Sequence, residues 1–257
     1  MTHYAIELRD LHQSFGHHEV LRGVSLSCPP GTITCLLARN GAGKTTTLRL
    51  TVGLRTPDQG KVLLAGQDVQ EVLGAEGTPP EGGTSLRNQI GFLPERPSLY
   101  PHLTGREFLH FLAELRGETR DVANLISEGL ERMEIGSEAD QIARDYSPGV
   151  VKKFAFLGAT LHEPDFLILD EPTGSLDVAG AAEVKRVLRR TTDRGGTVLF
   201  STHIMELAER TSDRVAILHD GRILYEGRTQ ALLPGSEAPG QFSTLESVFL
   251  QMTGSPP

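Results

Sequence analysis

A lysine that follows a Gly-Ala-Gly run and precedes three threonines is the feature of this chain with the most evident chemistry. In Ala38-Arg39-Asn40-Gly41-Ala42-Gly43-Lys44-Thr45-Thr46, glycines at 41 and 43 let the backbone wrap closely around a phosphate. Its N–H groups then aim at the oxygens from the start of a following helix. Lys44 adds a point charge for β- and γ-phosphates, and the Thr45 hydroxyl is a ligand for Mg²⁺. The pattern is GxxxxGK[ST] with Ala38 in the first glycine position, where a methyl fits if the residue keeps a negative φ. A second half of such a site lies at Phe166-Leu-Ile-Leu-Asp170-Glu171, four apolar residues ending in two carboxylates. As a strand, this run brings Asp170 to the sheet edge, where it acts through the metal shell. Glu171 is next along, poised to orient or deprotonate a water for in-line attack.

The elements that must hold these groups are short apolar runs bounded by Gly, Pro or polar residues. Ile33 to Leu37, Ile90 to Leu93, Phe166 to Leu169, Val198 to Ser201 and Val215 to Leu218 read as buried strands. Helical patterns lie between them: Thr46 to Val52, Thr104 to Leu115 opened by the capping box Thr104-Gly105-Arg106-Glu107, and Ala179 to Arg190 with Val184, Val187 and Leu188 on one face. Strands alternating with helices predict an α/β layered core with mostly parallel pairing. Asp220-Gly221 between two apolar runs predicts one antiparallel hairpin. Glu71 to Thr84, with four Gly, two Pro and no periodicity, reads as a mobile surface loop. Pro234 to Gly240 reads as a break before a last short helix with Leu245, Val248, Phe249 and Met252 on one stripe. That stripe is expected to dock on its own domain, with a partner-docking face as the alternative.

The 257 residues fit one large domain or a domain with a subdomain. A net charge of −8, from 33 acidic and 25 basic residues without a basic block, argues against coating nucleic acid. No run of about 18 apolar residues and no cationic-then-apolar N-terminus is present, so neither a membrane span nor a secretion signal is expected. Cys28 and Cys35 are the two cysteines, and in a chain of intracellular character they are expected to be reduced, packed thiols.

Together with these motifs, others in the same order make the sequence resemble the ATP-binding subunit of ATP-binding cassette (ABC) transporters over nearly its whole length. Gly91-Phe-Leu-Pro-Glu95 resembles that family's Q-loop, Ser175-Leu176-Asp177 its D-loop, and Ser201-Thr202-His203 its switch-histidine loop. His203 also follows a strand, at the end where α/β sheets bind ligands. The resemblance implies a P-loop NTPase core with an antiparallel β subdomain and a helical arm at about 96–160. It further implies an ATPase domain over 1–233, and a linker with a short helix over 234–257. It implies ATP and Mg²⁺ as cofactors, with Thr45, Glu95 and Asp170 around the metal and Lys44, Glu171 and His203 as catalytic groups. Phe15, before Gly16, resembles the aromatic that stacks on adenine.

In this family two cassettes sandwich two nucleotides between the P-loop of one and the signature loop of the other, so a second ATPase subunit is an implied partner, as homodimer or heterodimer. The signature usually reads Leu-Ser-Gly-Gly-Gln; here it is Tyr146-Ser147-Pro148-Gly149-Val150. Ser147 and Gly149 still offer a hydroxyl and an N–H to a γ-phosphate, while Pro148 lacks an N–H and suits a first helical turn. A lost charge-assisted bond there costs about 1.5–3 kcal/mol, enough for slower or asymmetric hydrolysis. Glu95 replaces the customary Gln. With Leu93 to Pro101 and an ending like Leu245 to Gly254, it resembles a subgroup of exporters whose membrane subunits are separate six-helix chains. The expected location is therefore cytoplasmic, on the inner face of the cell membrane beside an integral permease subunit. A soluble ABC ATPase, such as one of cluster assembly, and a weakly hydrolysing member of a heterodimer stand as alternatives. A small GTPase is disfavoured, since no Asn-Lys-x-Asp motif occurs.

Overall fold

Alternating apolar and polar residues give Ile6–Phe15 (β1) and His18–Cys28 (β2) one face to bury, whereas Ile33–Leu37 (β3) is apolar nearly throughout and buried at every position. That difference separates two sheets. In the computed structural model, which describes residues 4–73, 86–232 and 244–254, β3 leads through a loop into the helix Lys44–Thr51 (α1). The chain returns in Gln59–Leu64 (β4), Gln67–Asp68 (β5) and the short helix Val69–Leu73 (α2). Strands β2-β1-β4-β5 form an antiparallel sheet in that order.

Ile90–Leu93 (β6) is followed by three helices, Gly105–Leu115 (α3), Val122–Arg132 (α4) and Pro148–Thr160 (α5). Then come Phe166–Asp170 (β7), Val178–Asp193 (α6), Thr197–Thr202 (β8), Met205–Thr211 (α7), Arg214–His219 (β9), Arg222–Arg228 (β10) and Leu245–Thr253 (α8). The second sheet has the order β10-β9-β3-β8-β7-β6. Its inner pairings are parallel, and only β10 runs antiparallel, through the Asp220-Gly221 turn. This is the mostly parallel α/β core with one hairpin that the sequence predicts, with the antiparallel subdomain and the helical arm that the family resemblance implies. The five strand runs read from the sequence all appear, extended by a residue at one or both ends in β7, β8 and β9.

Two cores result. Leu36, Leu48 and Leu199 lie with the inner faces of β1, β2 and β4, and Cys35, Leu169 and Phe200 lie with α3, α5, α6 and α8. The capping box at the start of α3 forms in both directions between Thr104 and Glu107. Cys28 and Cys35 are free and buried, as expected.

Two expectations need correction. Glu71 to Leu73 do not begin a loop: they close α2, and Val72 and Leu73 pack against the core under β1, β2 and β4. Tertiary contact supplies the helix that five residues without a long period could not announce. The rest of the expected loop, and the break at Pro234 to Gly240, lie outside the described residues. On α8, Leu245, Val248 and Phe249 are buried in the main core, so the tail docks on its own chain, but Met252 is 39% exposed and not part of the buried stripe. Among the described residues no helix is long and apolar enough to cross a membrane.

Candidate nucleotide-binding site

The site is built at the C-terminal ends of β3, β7 and β8, three neighbours in one parallel sheet, where ligands of open α/β folds bind. Leaving β3, the chain keeps Ala38 at negative φ and turns through Gly41 and Gly43 at φ +81° and +105°. A Cβ on Gly43 would sit 2.7 Å from the Leu21 side chain, so conformation and space both require glycine there. Lys44 opens α1 and is 6% exposed. Its Nζ donates to the carbonyls of Ala38 (2.9 Å) and Arg39 (3.3 Å) and to Asn40 Oδ1 (3.5 Å).

Asp170 ends β7 with both carboxylate oxygens engaged, accepting from the Thr45 hydroxyl at 2.6 Å and from the Ser201 hydroxyl. By donating its proton to Asp170, Thr45 keeps an oxygen lone pair for a cation. Glu171 holds φ +48°, a region that a non-glycine residue occupies at a cost of about 1–3 kcal/mol and mainly at functional sites. Its N–H donates to the Ser201 carbonyl at 3.2 Å. Its Oε1 lies 2.8 Å from His203 Nδ1 and 3.4 Å from Lys44 Nζ, and its Oε2 accepts from Thr202 at 3.1 Å. Three groups from two separate segments thus meet at one carboxylate. Glu95 and Arg96, just after β6, face the same cleft of about 450 Å³ with Asn40, Lys44, Thr45, Thr46 and Glu171. Ala42 lies within the loop that bounds it.

These residues fit a triphosphate with Mg²⁺. The loop turns through two left-handed glycines, the Lys44 ammonium stands in the lining of the cleft it bounds, and a hydroxyl backed by a carboxylate is a hard-oxygen donor set. Among the described residues no three His, Cys, Asp or Glu side chains are grouped to hold a metal by themselves. A Mg²⁺ shared with phosphates needs only one or two protein oxygens.

Other expected site residues lie apart from this cleft. Ser147 caps α5 by accepting from the Val150 N–H at 3.4 Å, and Pro148 occupies the first helical turn. Gly149 is needed because a Cβ there would meet the Ser175 carbonyl at 2.8 Å. Phe15 is 44% exposed with the Arg55 guanidinium 4.4 Å from its ring centroid, a cation–π contact that covers one face. The cleft on that side is lined by His18 and Val20, which the sequence reading missed.

It also missed Lys152 and Lys153. Lys153 pairs with Asp177 at 2.7 Å, and Lys152 donates to the Glu171 carbonyl at 2.6 Å. Their signal was available, since two adjacent lysines in an apolar helix cannot both reach water cheaply. Burial pulls the Lys152 ammonium below the usual lysine range, against the opposing charges of Glu171, Asp170 and Glu95. Burial likewise pushes the Cys35 thiol well up, with the Glu171 charge adding to it.

Fold and site together define a P-loop nucleoside triphosphatase. Known proteins place the chain further. A sequence profile of the ABC transporter family matches residues 21–174. The bacitracin transport ATP-binding protein BcrA of Enterococcus faecalis is 33% identical over 224 residues, 87% of this chain and 69% of its own. The Nod factor export ATP-binding protein I of Burkholderia orbicola is 34% identical over 229 residues, 89% of this chain and 72% of its own. A solved ATP-binding subunit of an ABC transporter superposes with a TM-score of 0.81 at 27% identity, over 97% of this chain and 99% of that one. The chain belongs to the ABC transporter family, as an ATP-binding subunit with the ATPase fold of that family.

Proposed function

We propose that this subunit binds and hydrolyses Mg²⁺-ATP to drive export through a separate membrane subunit, working as one of two cassettes on the cytoplasmic face of the membrane. The observation that carries the reading is the convergence of Lys44, Thr202 and His203 on the Glu171 carboxylate, beside a Thr45–Asp170 pair. Export is supported by relatives named for bacitracin transport and Nod factor export. The reading takes 1–233 as the ATPase domain and 234–257 as linker and docked helix.

In this reading the N–H groups of Asn40 to Thr46 and the Lys44 ammonium hold the β- and γ-phosphates. Thr45 ligates Mg²⁺, Asp170 orients Thr45, and Glu95 offers an oxygen from across the cleft. Mg²⁺, when bound, offsets charge on the phosphate oxygens. Glu171 positions the attacking water and takes its proton. His203, bonded to Glu171, keeps that carboxylate aimed and presents its other ring nitrogen to the phosphate side. Ser147 and Gly149 lie outside the cleft of their own chain, as groups meant for a partner's nucleotide would, and Phe15 offers its uncovered ring face to the base. A groove of about 480 Å³ lined by Leu54, Leu73 and Phe92 with Arg87 and Arg116 is a mixed apolar and basic seat for a segment of the membrane subunit.

The test is assembly. Glu171→Gln keeps size and removes basicity, so ATP binds while hydrolysis stalls. Size-exclusion chromatography with light scattering should show the variant monomeric without nucleotide and dimeric with ATP. Adding Ser147→Arg should return a monomer. A monomer in saturating ATP that dimerises only with a candidate partner cassette would replace the homodimer with a heterodimer. No assembly with either would overturn the two-cassette reading.

A further inference from the structure

Lys152 lies in α5, five residues after Ser147, and is 4% exposed. A buried ammonium ordinarily takes a carboxylate partner. Among the described residues, however, none of the ion pairs within 4.0 Å involves Lys152. Its Nζ donates instead to two main-chain carbonyls, that of Glu171 at 2.6 Å and that of Glu95 at 3.3 Å. Charge-assisted bonds to carbonyls are stronger than neutral ones, and these two join separate pieces of the site to one helix.

The Glu171 carbonyl matters because of the backbone it belongs to. At φ +48°, Glu171 is in a conformation that an L residue keeps only when its surroundings over-determine it. On its N-terminal side the N–H is held by Ser201, through both the carbonyl and the hydroxyl at 3.2 Å. On its C-terminal side the carbonyl accepts from Lys152 and, at 3.2 Å, from the Gly174 N–H. Pinned at both ends, the turn sends the side chain back toward Lys44 and His203.

We propose that Lys152 is a positioning residue for hydrolysis: it holds the left-handed turn that aims the Glu171 carboxylate into the cleft, and links that turn to the Glu95 loop and to the helix that presents Ser147. This rests on the reading of Glu171 as the group that positions water. Lys152 does not itself line the phosphate cleft and touches it only through the carbonyls of Glu171 and Glu95, so its loss acts on the chemical step and leaves nucleotide binding to the loop at 38–46.

Steady-state ATPase kinetics of Lys152→Met, with Lys152→Gln and Glu171→Gln in parallel, test it. Met keeps length and burial but donates nothing; Gln keeps a donor without the charge. The expected result is kcat lowered about ten-fold or more in Lys152→Met with KM for ATP within about two-fold, and a kcat for Lys152→Gln between that and wild type. If circular dichroism shows Lys152→Met unfolded, Lys152→Gln stands in its place, with a kcat at least about three-fold below wild type and KM within about two-fold. A kcat at the wild-type level in the folded variant tested, or a loss that appears only in KM, overturns the inference. Turnover persisting in Glu171→Gln would instead overturn the reading of Glu171, whereas a stalled Glu171→Gln beside an active Lys152→Met removes the role of Lys152 alone.

Discussion

Lys44 shows how one side chain serves both fold and chemistry. Its three oxygen acceptors all lie in the loop at 38–40, and a fourth oxygen, on Glu171, lies within ion-pair distance. The ammonium is thus held in the cleft by the loop proposed to wrap the phosphates. Lys44→Ala removes the charge while leaving the apolar strands on either side intact. ATP turnover in the presence of Mg²⁺ is expected to fall to background, with the circular dichroism spectrum unchanged. Undiminished turnover would overturn the assignment of the loop. Phe15 marks where residue type alone misleads. An aromatic before a glycine is legible as a base-stacking candidate, but whether its face is free depends on Arg55, a contact across 40 positions of sequence that no local pattern encodes.

At the scale of elements, the segment just past α5 carries a half-buried base that ties the helical arm to the sheet. His162 Nε2 is 2.9 Å from Arg116 at the end of α3 and 3.2 Å from the Ile90 carbonyl at the start of β6. Burial, with the Arg116 charge adding to it, pulls this histidine down to about 4. An unfolded chain holds the same group near about 6.5, so between those values the unfolded state binds more protons than the folded one. Stability from this site is therefore full above about pH 6.5 and is lost as the pH falls toward 4, by a total of about 3 kcal/mol. Urea unfolding of wild type and His162→Gln at pH 7, 5.5 and 4.5 should show a steeper fall for wild type. Parallel pH profiles would remove the assignment. The strands themselves were legible because a run apolar on both faces has only the inside of a parallel sheet to occupy. Helix α2 was not, since five residues form a helix only where Val69 and Leu73 find a core to cover.

For the molecule as a whole, α8 returns to close the main core after a stretch outside the described residues. Phe249 is fully buried there, with Leu245 and Val248, against a cluster that includes α7. Phe249→Ala should cost about 3–5 kcal/mol, the usual loss for a large aromatic deleted from a packed core. The urea midpoint measures it. A change under about 1 kcal/mol would mean that the helix detaches in solution and that the stripe is available to a partner. The two clusters lie on opposite faces of the central sheet, and alternate residues of β3 divide between them, Ile33, Cys35 and Leu37 facing one and Leu36 the other.

The sequence by itself determined the glycine-rich loop before α1, the strand-borne Asp170 and Glu171, the α/β class and the hairpin, because each is dictated by a local rule. Glycine is favoured where φ is positive, unbroken apolar runs must be buried, and an Asp-Gly pair turns a chain back on itself. Only the tertiary structure decided that Lys44, Thr202 and His203 meet on one carboxylate, that Glu171 occupies a left-handed turn, and that Lys152 and Lys153 face inward to bind Glu171 and Asp177. These contacts join α1, the turn after β7, the end of β8 and α5, and the strands that carry them stand in the sheet in an order that is not their order in the chain. A buried lysine in an apolar helix is visible in the sequence as an anomaly. Its partner is chosen by whichever carbonyl the packed sheet leaves in reach, and that is settled only when the strands have taken their places.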